Sequence, residues 1–358
     1  MQLAVRIGDR VVGEEERVYV IAEIGVNHNG REELAKELID AAVNAGADAV
    51  KFQTFDPDTL VVENARAPSY QRNRTGRTSQ RDVIRGLSLG RDAFERLAAY
   101  ARAKGVDFLS TPFDIESIGF LVKIGVPAIK ISSGDLTFRP LVEAAARTGL
   151  PVILSTGMAT LGEIEAALDG LSTCDVILLH CVSSYPAPVQ DANLRAIETL
   201  RRAFGRVVGY SDHTTSVAVP AMAVMAGAAV IEKHLTLDRS LVGPDHAASL
   251  EPDEFAAMVR YIREAEVARG TGYKTIAPSE KELRLLGRRG AVAARDLSAG
   301  SVLGATDISF KRPARGISPM EAERFLVGRR LVHDLRKDDP ITLDDVAPNV
   351  EPDRGHAW

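Results

Sequence analysis

Short apolar runs rich in β-branched residues recur along the chain: VYVIAEIG (18–25), DAVKFQT (48–54), DFLSTPF (107–113), AIKISSG (128–134), PVILSTG (151–157), VILLHCV (176–182), VVGYSDH (207–213) and AAVIEKHL (228–235). Runs of this length and composition predict strands. Between them stand segments such as REELAKELIDAAVNAGA, RDAFERLAAYARAKG, RPLVEAAARTG and LGEIEAALDGL. Their apolar residues recur every three or four positions and they often close on glycine, which predicts amphipathic helices. Strand and helix alternate eight times between residues 18 and about 268, which predicts a (β/α)8 TIM barrel rather than an open doubly wound sheet. No GxGxxG or GxxxxGK[ST] run argues otherwise. The first 16 residues alternate apolar and polar positions around Gly8 and Asp9, and predict a β-hairpin that plugs the bottom of the barrel.

Two stretches break the rhythm. The connection from Phe55 to about Leu87 is long, polar and arginine-rich (PSYQRNRTGRTSQRD); such a connection is either functional or disordered, and because it leaves the top of strand two the functional reading is preferred. After Gly270, TGYKTIAPSEKELRLLG reads as a polar linker, followed by short strands and turns with one short helix around PMEAERFL. The expected organisation is a barrel with its hairpin over 1–270, a linker over 271–287, a small domain over 288–349 and a tail over 350–358. About 60 residues bury only a modest core, so the small domain is expected to lean on a barrel, its own or that of a second subunit.

Composition narrows the partners. The chain has 358 residues, 45% hydrophobic and 26% charged, with a net charge of -5 and no clustering of its arginines. That leaves no positive field for a nucleic acid. The most apolar stretch, Val217 to Ile231, contains Pro220 and Gly227 and is too short for a bilayer span. With Arg6, Asp9 and Arg10 interrupting the N-terminus, no signal peptide is read and a cytoplasmic location is expected. Cys174 and Cys181 have neither disulfide nor metal-knuckle spacing.

In a TIM barrel the site is built at the carboxyl ends of the strands. Those ends are polar on every strand: Glu23; Lys51 and Gln53; Thr111; Lys130, Ser132, Ser133 and Asp135; Ser155 and Thr156; His180 and Ser183; Ser211, Asp212 and His213; Glu232 and His234. Residues two apart share a face, so Lys51 with Gln53, Ser211 with His213, and Glu232 with His234 point inward together. Two lysines within apolar strands need an anion, and with hydroxyls around them a phosphate-bearing ligand fits. The structural alternative pairs each lysine with Glu23 or Asp135. His213 and His234 lie at one depth on neighbouring strands, and suit a divalent metal with open positions, Mn²⁺ before Mg²⁺ or Co²⁺. His180 reads as a buried hydrogen-bonded residue, and His333 and His356 as surface residues. The loop LDRSLVGPDHAASLEP carries Asp245 after a Gly-Pro turn, where it serves either hydroxyl recognition or loop capping. The run Asn27 to Gly30 reads chiefly as the cap of the first helix.

In order along the chain, IAEIGVNHNG, DAVKFQTF, FLSTPFD, KISSGD, ILSTGMAT, HCVSSYPAP, YSDHT and EKHLTLDRSLVGPDHAASLEP resemble the sialic acid synthase family. The last segment, with KRPARGISP, resembles that family's antifreeze-protein-like (SAF) domain. The resemblance implies condensation of phosphoenolpyruvate with the open-chain aldehyde of an N-acyl hexosamine, giving a nine-carbon 2-keto acid and phosphate. It gives phosphoenolpyruvate to Lys51, Thr111, Lys130, Ser133, Ser183 and Ser211, and the metal to His213 and His234. Glu23 and Asp135 become the proton-handling carboxylates. Sugar contacts fall to Gln53, Asn73, Tyr185 and Asp245, and Arg312 reaches in from the partner of a domain-swapped homodimer. Departures from the family pattern are Asp135 for Glu, Ser183 for Asn, YQRNRTG for YQxxNTG around Asn73 and Arg74, and Ala314 for Gly. The competing readings are a legionaminate or pseudaminate synthase acting on a diacetamido sugar, and a catalytically inactive sugar-binding barrel.

Overall fold

The computed structural model describes residues 4–348, so the tail read over 350–358, with His356, lies outside the described residues. The chain divides into two compact units, Met1–Gly270 and Thr271–Trp358. The first is built on eight parallel strands: Tyr19–Gly25, Ala49–Thr54, Asp107–Pro112, Ile129–Ile131, Val152–Ser155, Val176–Cys181, Val207–Asp212 and Val230–His234. Consecutive strands pair in sequence, all but the third with the fourth, and the eighth returns to the first with Val230 opposite Tyr19 and His234 opposite Glu23. At the remaining seam the third and fourth strands lie side by side, so the barrel is nearly closed.

Alternation along each strand sorts the side chains into an inner and an outer core. Outside, helices such as Glu32–Asn44 bury Leu34, Ala35, Leu38, Ile39 and Ala42 on one stripe against the sheet; each large aliphatic contributes ~2 kcal/mol. Inside, Tyr19, Ile21, Ala49, Leu109, Ala128, Ile153, Ile177, Leu179, Val207 and Val230 form a second cluster. It is completed by Val5, Ile7 and Val12 of the hairpin Ala4–Ile7 and Arg10–Gly13, which plugs the barrel bottom as the alternation predicts. Counting two residues on from these positions along the strands leads to Glu23, Lys51, Thr111, Lys130, Ser155, Cys181 and Glu232. The interior therefore changes from apolar to polar within one pleat.

The long connection after strand two is ordered. It contains three short helices, Pro57–Leu60, Ser69–Thr75 and Gln80–Arg85, over a small core of Val26, Ala67, Val83 and Leu87 with Phe55. Local caps start two of them, through Asp56 onto Asp58 and Ser79 onto Asp82. The pieces are too short for a periodic signal.

The second unit pairs Gly290–Ala293 with Ile308–Lys311, antiparallel, and adds the helix Pro319–Phe325. Its core is small, centred on Ala291, Leu303, Leu326, Leu331 and Ile341. The stretch expected to be bare linker carries a helix, Lys281–Gly287, whose Leu283, Leu285 and Leu286 are exposed within that unit.

Candidate active site

The polar layer forms the floor of a cavity of about 480 Å³ at the carboxyl ends of the strands. Lys51 Nζ lies 2.8 Å from a Glu23 oxygen, 3.0 Å from Thr111 Oγ1 and 3.7 Å from Glu232. Lys130 Nζ donates to Ser155 Oγ at 2.6 Å and lies 3.9 Å from Glu232. Glu232 thus stands between the lysines, with Ser211 donating to it at 3.0 Å. Glu23, Lys51, Lys130 and Glu232 are all buried.

Their protonation follows from burial and neighbours. Burial pushes the Glu23 carboxyl up to about 7 against the pull of Lys51, and Glu232 adds to the rise. Burial lowers Lys130. It opposes the charged form of Lys51 too, but there Glu23 and Glu232 outweigh it and hold the ammonium above its ordinary range. Burial likewise acts to raise Glu232, yet Lys130 and Lys51 keep it below the usual carboxylate range.

Beside Lys130, three hydroxyl-bearing turns converge. Ser133 Oγ accepts from the Gly157 amide at 2.9 Å. A Cβ on Gly157 would sit 2.4 Å from Ser183 Oγ and 2.8 Å from Ser133 Oγ, so only glycine lets both hydroxyls approach. The lysines, Thr111, Ser133, Ser183 and Ser211 all line the one cavity. Asp135 does not: its carboxylate accepts from Ser132 Oγ at 2.6 Å, one turn away from the lining formed by Ser132, Ser133 and Gly134. Nor does it partner Lys130 in an ion pair, a place taken by Glu232.

On the opposite wall, His213 and His234 have ring centroids 5.5 Å apart, and the Tyr185 ring lies 4.2 Å from His213. His213 Nδ1 donates to the Val182 carbonyl at 2.7 Å, which leaves Nε2 as its remaining ring nitrogen. His234 is buried, its Nδ1 has no hydrogen-bond partner, and burial holds its pKa well below the ordinary value. One residue before each histidine, Asp212 and Lys233 form a fully buried ion pair at 2.5 Å that ties the two strands together. A neutral imidazole with an orphaned nitrogen beside a second oriented one fits a divalent cation. Among the described residues no cluster of three or more His, Cys, Asp or Glu is placed to hold an ion. The protein would supply two ligands, leaving the other positions to substrate and water.

The histidine wall opens into a side chamber of about 210 Å³. Gln53, Gln80, Phe113, Tyr185 and His234 are shared with the main cavity; Phe55, Leu60, Ile84 and Leu87 supply an apolar wall, and Gln71 and Asp245 further polar groups. Asp245 is buried, and burial raises its carboxyl to about 6 against the pull of His213 and Lys51. Its loop is braced from below. Asn27 Nδ2 donates to Leu235 O at 2.8 Å and Ser249 Oγ at 2.9 Å, and the His246 ring meets Thr236 Oγ1 at 2.7 Å and Asn29 Oδ1 at 3.3 Å. The run at 27–30 therefore braces this loop; the cap position of the following helix is Arg31, without a side-chain cap.

The remaining candidates lie elsewhere. Asn73 is on the helix Ser69–Thr75, but its side chain lies outside the described residues. Arg312 belongs to the second unit, where it shares a basic cleft with Lys274, Arg284 and Arg288. His180 Nε2 contacts the Ala192 carbonyl at 2.8 Å, and His333 is exposed and pairs with Asp345. Glu232 and Ser155 received no role from the sequence, although each stands at a strand end, and Glu232 shares its face with His234.

The NeuB family matches residues 38–274, and the SAF domain matches 288–347. The N,N'-diacetyllegionaminic acid synthase of Legionella pneumophila is 45% identical over 331 residues, spanning 90% of this chain and 93% of that protein. The N-acetylneuraminate-9-phosphate synthase of Drosophila melanogaster is 35% identical over 353 residues, 90% of this chain and 94% of that one. Among solved structures, the N-acetylneuraminic acid synthetase of Leptospira borgpetersenii superposes with a TM-score of 0.70 at 37% identity, covering 79% of this chain and 95% of that one.

Proposed function

The chain belongs to the NeuB family, and we propose that it condenses phosphoenolpyruvate with the open-chain aldehyde of an N-acyl hexosamine, giving a nine-carbon 2-keto acid and phosphate. The observation that carries this reading is the pair of buried lysines, Lys51 and Lys130, among the hydroxyls of Thr111, Ser133, Ser183 and Ser211. Buried cations beside neutral donors suit a compact polyanion. The same cavity is lined by His213, His234 and Tyr185, and the adjoining side chamber by Asp245, where polar sugar atoms would meet them.

In the reaction, C3 of phosphoenolpyruvate forms a bond to the aldehyde carbon, and the aldehyde oxygen takes a proton to become a hydroxyl. Water adds to C2, and loss of inorganic phosphate from that carbon leaves the keto group. Lys51 and Lys130 hold the anionic reactant and offset its charge. Glu23, with its pKa near 7, is the cavity carboxyl suited to exchange protons with the attacking water and the new hydroxyl. Asp135 would join it only by leaving Ser132. His213 and His234 would hold a divalent cation, Mn²⁺ before Mg²⁺ or Co²⁺, which when bound supplies Lewis acidity at the sugar aldehyde. Gln53, Tyr185 and Asp245 orient the sugar, and Arg312 is assigned to its N-acyl group from the partner of a domain-swapped dimer.

A second reading takes a diacetamido hexose. It is favoured by the greater identity to the Legionella synthase, 45% against 35% for the Drosophila one, and by the side chamber, whose apolar wall and glutamines suit an additional acylamino group. The test is release of phosphate from phosphoenolpyruvate across mono- and diacetamido hexosamines, with and without divalent metal. Sugar-dependent release supports the synthase; none with any sugar would leave the inactive barrel.

A further inference from the structure

We propose that Arg74 is a positioning residue that latches the long connection to the loop carrying Asp245 and so keeps that carboxylate in place for the sugar. The sugar arm of this proposal rests on the function argued above; the latch itself rests on geometry. Arg74 occupies the last turn of the helix Ser69–Thr75, and its Nη2 donates to the carbonyls of Arg239 at 2.8 Å and Leu241 at 3.0 Å. Its Nε is buried without a partner. The two carbonyls sit ahead of the Val242, Gly243 and Pro244 stretch that leads into Asp245.

The loop needs a tie on this side. Past Asp245 it is anchored by His246 on Thr236 and Asn29, and by Ser249 Oγ donating to the Asp245 carbonyl at 2.7 Å. That anchoring is tight: a Cβ on Gly243 would lie 2.6 Å from the His246 ring and 2.9 Å from Asn29 Oδ1. Before Asp245, Arg239 is fixed on its outer side by its amide donating to Glu251 at 3.1 Å and by its guanidinium on Glu254. Arg74 supplies the inner tie. The helix that carries it also carries Gln71, which lines the side chamber together with Asp245. One guanidinium therefore holds two walls of the same chamber together. Both bonds leave the single nitrogen Nη2, so it is the length of the side chain and the paired N–H groups at its tip that reach the two carbonyls.

The experiment compares Arg74→Ala, Arg74→Gln and Arg74→Lys in the full chain by steady-state kinetics and by amide hydrogen exchange over residues 238–245. Arg74→Ala is expected to raise the sugar KM about tenfold, to leave the phosphoenolpyruvate KM within about twofold, and to speed exchange in the loop about tenfold. Arg74→Lys should recover part of both effects, and if Arg74→Ala does not fold, Arg74→Gln carries the comparison. An unchanged sugar KM, an equal rise in both KM values, or unchanged exchange at 238–245 would overturn the proposal. Failure of every hexosamine to condense would overturn the functional reading instead, because the exchange measurement reads the latch without substrate.

Discussion

Replacing Asp245 by asparagine should stabilise the protein while weakening it as an enzyme, and the two effects have one cause. Burial raises this carboxyl from 3.8 to about 6, so the folded chain holds its proton more tightly than the unfolded chain does. The native state then binds more protons between pH ~4 and ~6, and stability falls as the pH rises through that window. Above about pH 6 the ionised, buried Asp245 costs the fold about 3 kcal/mol, at 1.36 kcal/mol for each pH unit of displacement. Asparagine has the same shape and no charge. Asp245→Asn should therefore exceed the native chain in stability by up to about 3 kcal/mol above pH 6, with the difference shrinking toward zero below about pH 4. Urea unfolding of the barrel transition from pH 4 to 8, in chelator-treated protein, measures it. At pH 7 the same variant should show a raised sugar KM, since a neutral amide is a weaker acceptor for a hydroxyl. A stability difference that does not change with pH would refute the reasoning, because only a displaced titration produces the slope.

The other expectations concern the rest of the cavity. Chelation should abolish turnover and Mn²⁺ restore it in the native chain but not in His213→Ala or His234→Ala; full activity after chelation would remove the metal role. Gly157→Ala should raise the phosphoenolpyruvate KM tenfold or more with little change in unfolding midpoint. The added methyl meets the Ser183 and Ser133 hydroxyls at 2.4 and 2.8 Å and Cys181 Sγ at 3.2 Å, so the hydroxyls must turn away from it and from the ligand. For a domain-swapped dimer, mixing inactive His213→Ala with inactive Arg312→Ala should restore about a quarter of native activity, since half the dimers are mixed and each rebuilds one of two sites. No recovery despite proven subunit exchange would assign Arg312 to its own chain.

What the sequence made legible is what strand periodicity controls. Lys51 and Lys130 lie two residues past the apolar Ala49 and Ala128, and His213 and His234 two residues past Ser211 and Glu232, which the parallel ladder sets opposite each other. Glu232 obeyed the same count but received no role, because distance across the barrel interior to the lysines is not written in any one strand. Asp135 failed differently. It lies beyond the end of its strand, in a 3-10 turn Ser133–Asp135 where the period of two no longer applies, and Ser132 captures its side chain.

The loops were opaque for a physical reason that also explains Arg74. A connection has no period, so its contacts are decided by which backbone carbonyls another loop leaves accessible. Here the loop after strand eight contains Gly243 and Pro244, the one offering a close approach and the other no N–H, and its own bonds before Asp245 gather on Thr236 and Asp238. Its Arg239 and Leu241 carbonyls are therefore open to a side chain from outside. An arginine where asparagine is commoner looked, in the sequence, like a lost or shifted sugar contact. In the fold its longer side chain reaches the neighbouring loop, so the substitution exchanges a residue of asparagine's reach for one that fixes the wall carrying Asp245. Lengthening this side chain thus changes which part of the cavity it governs, and a return to asparagine should release the loop rather than repair it.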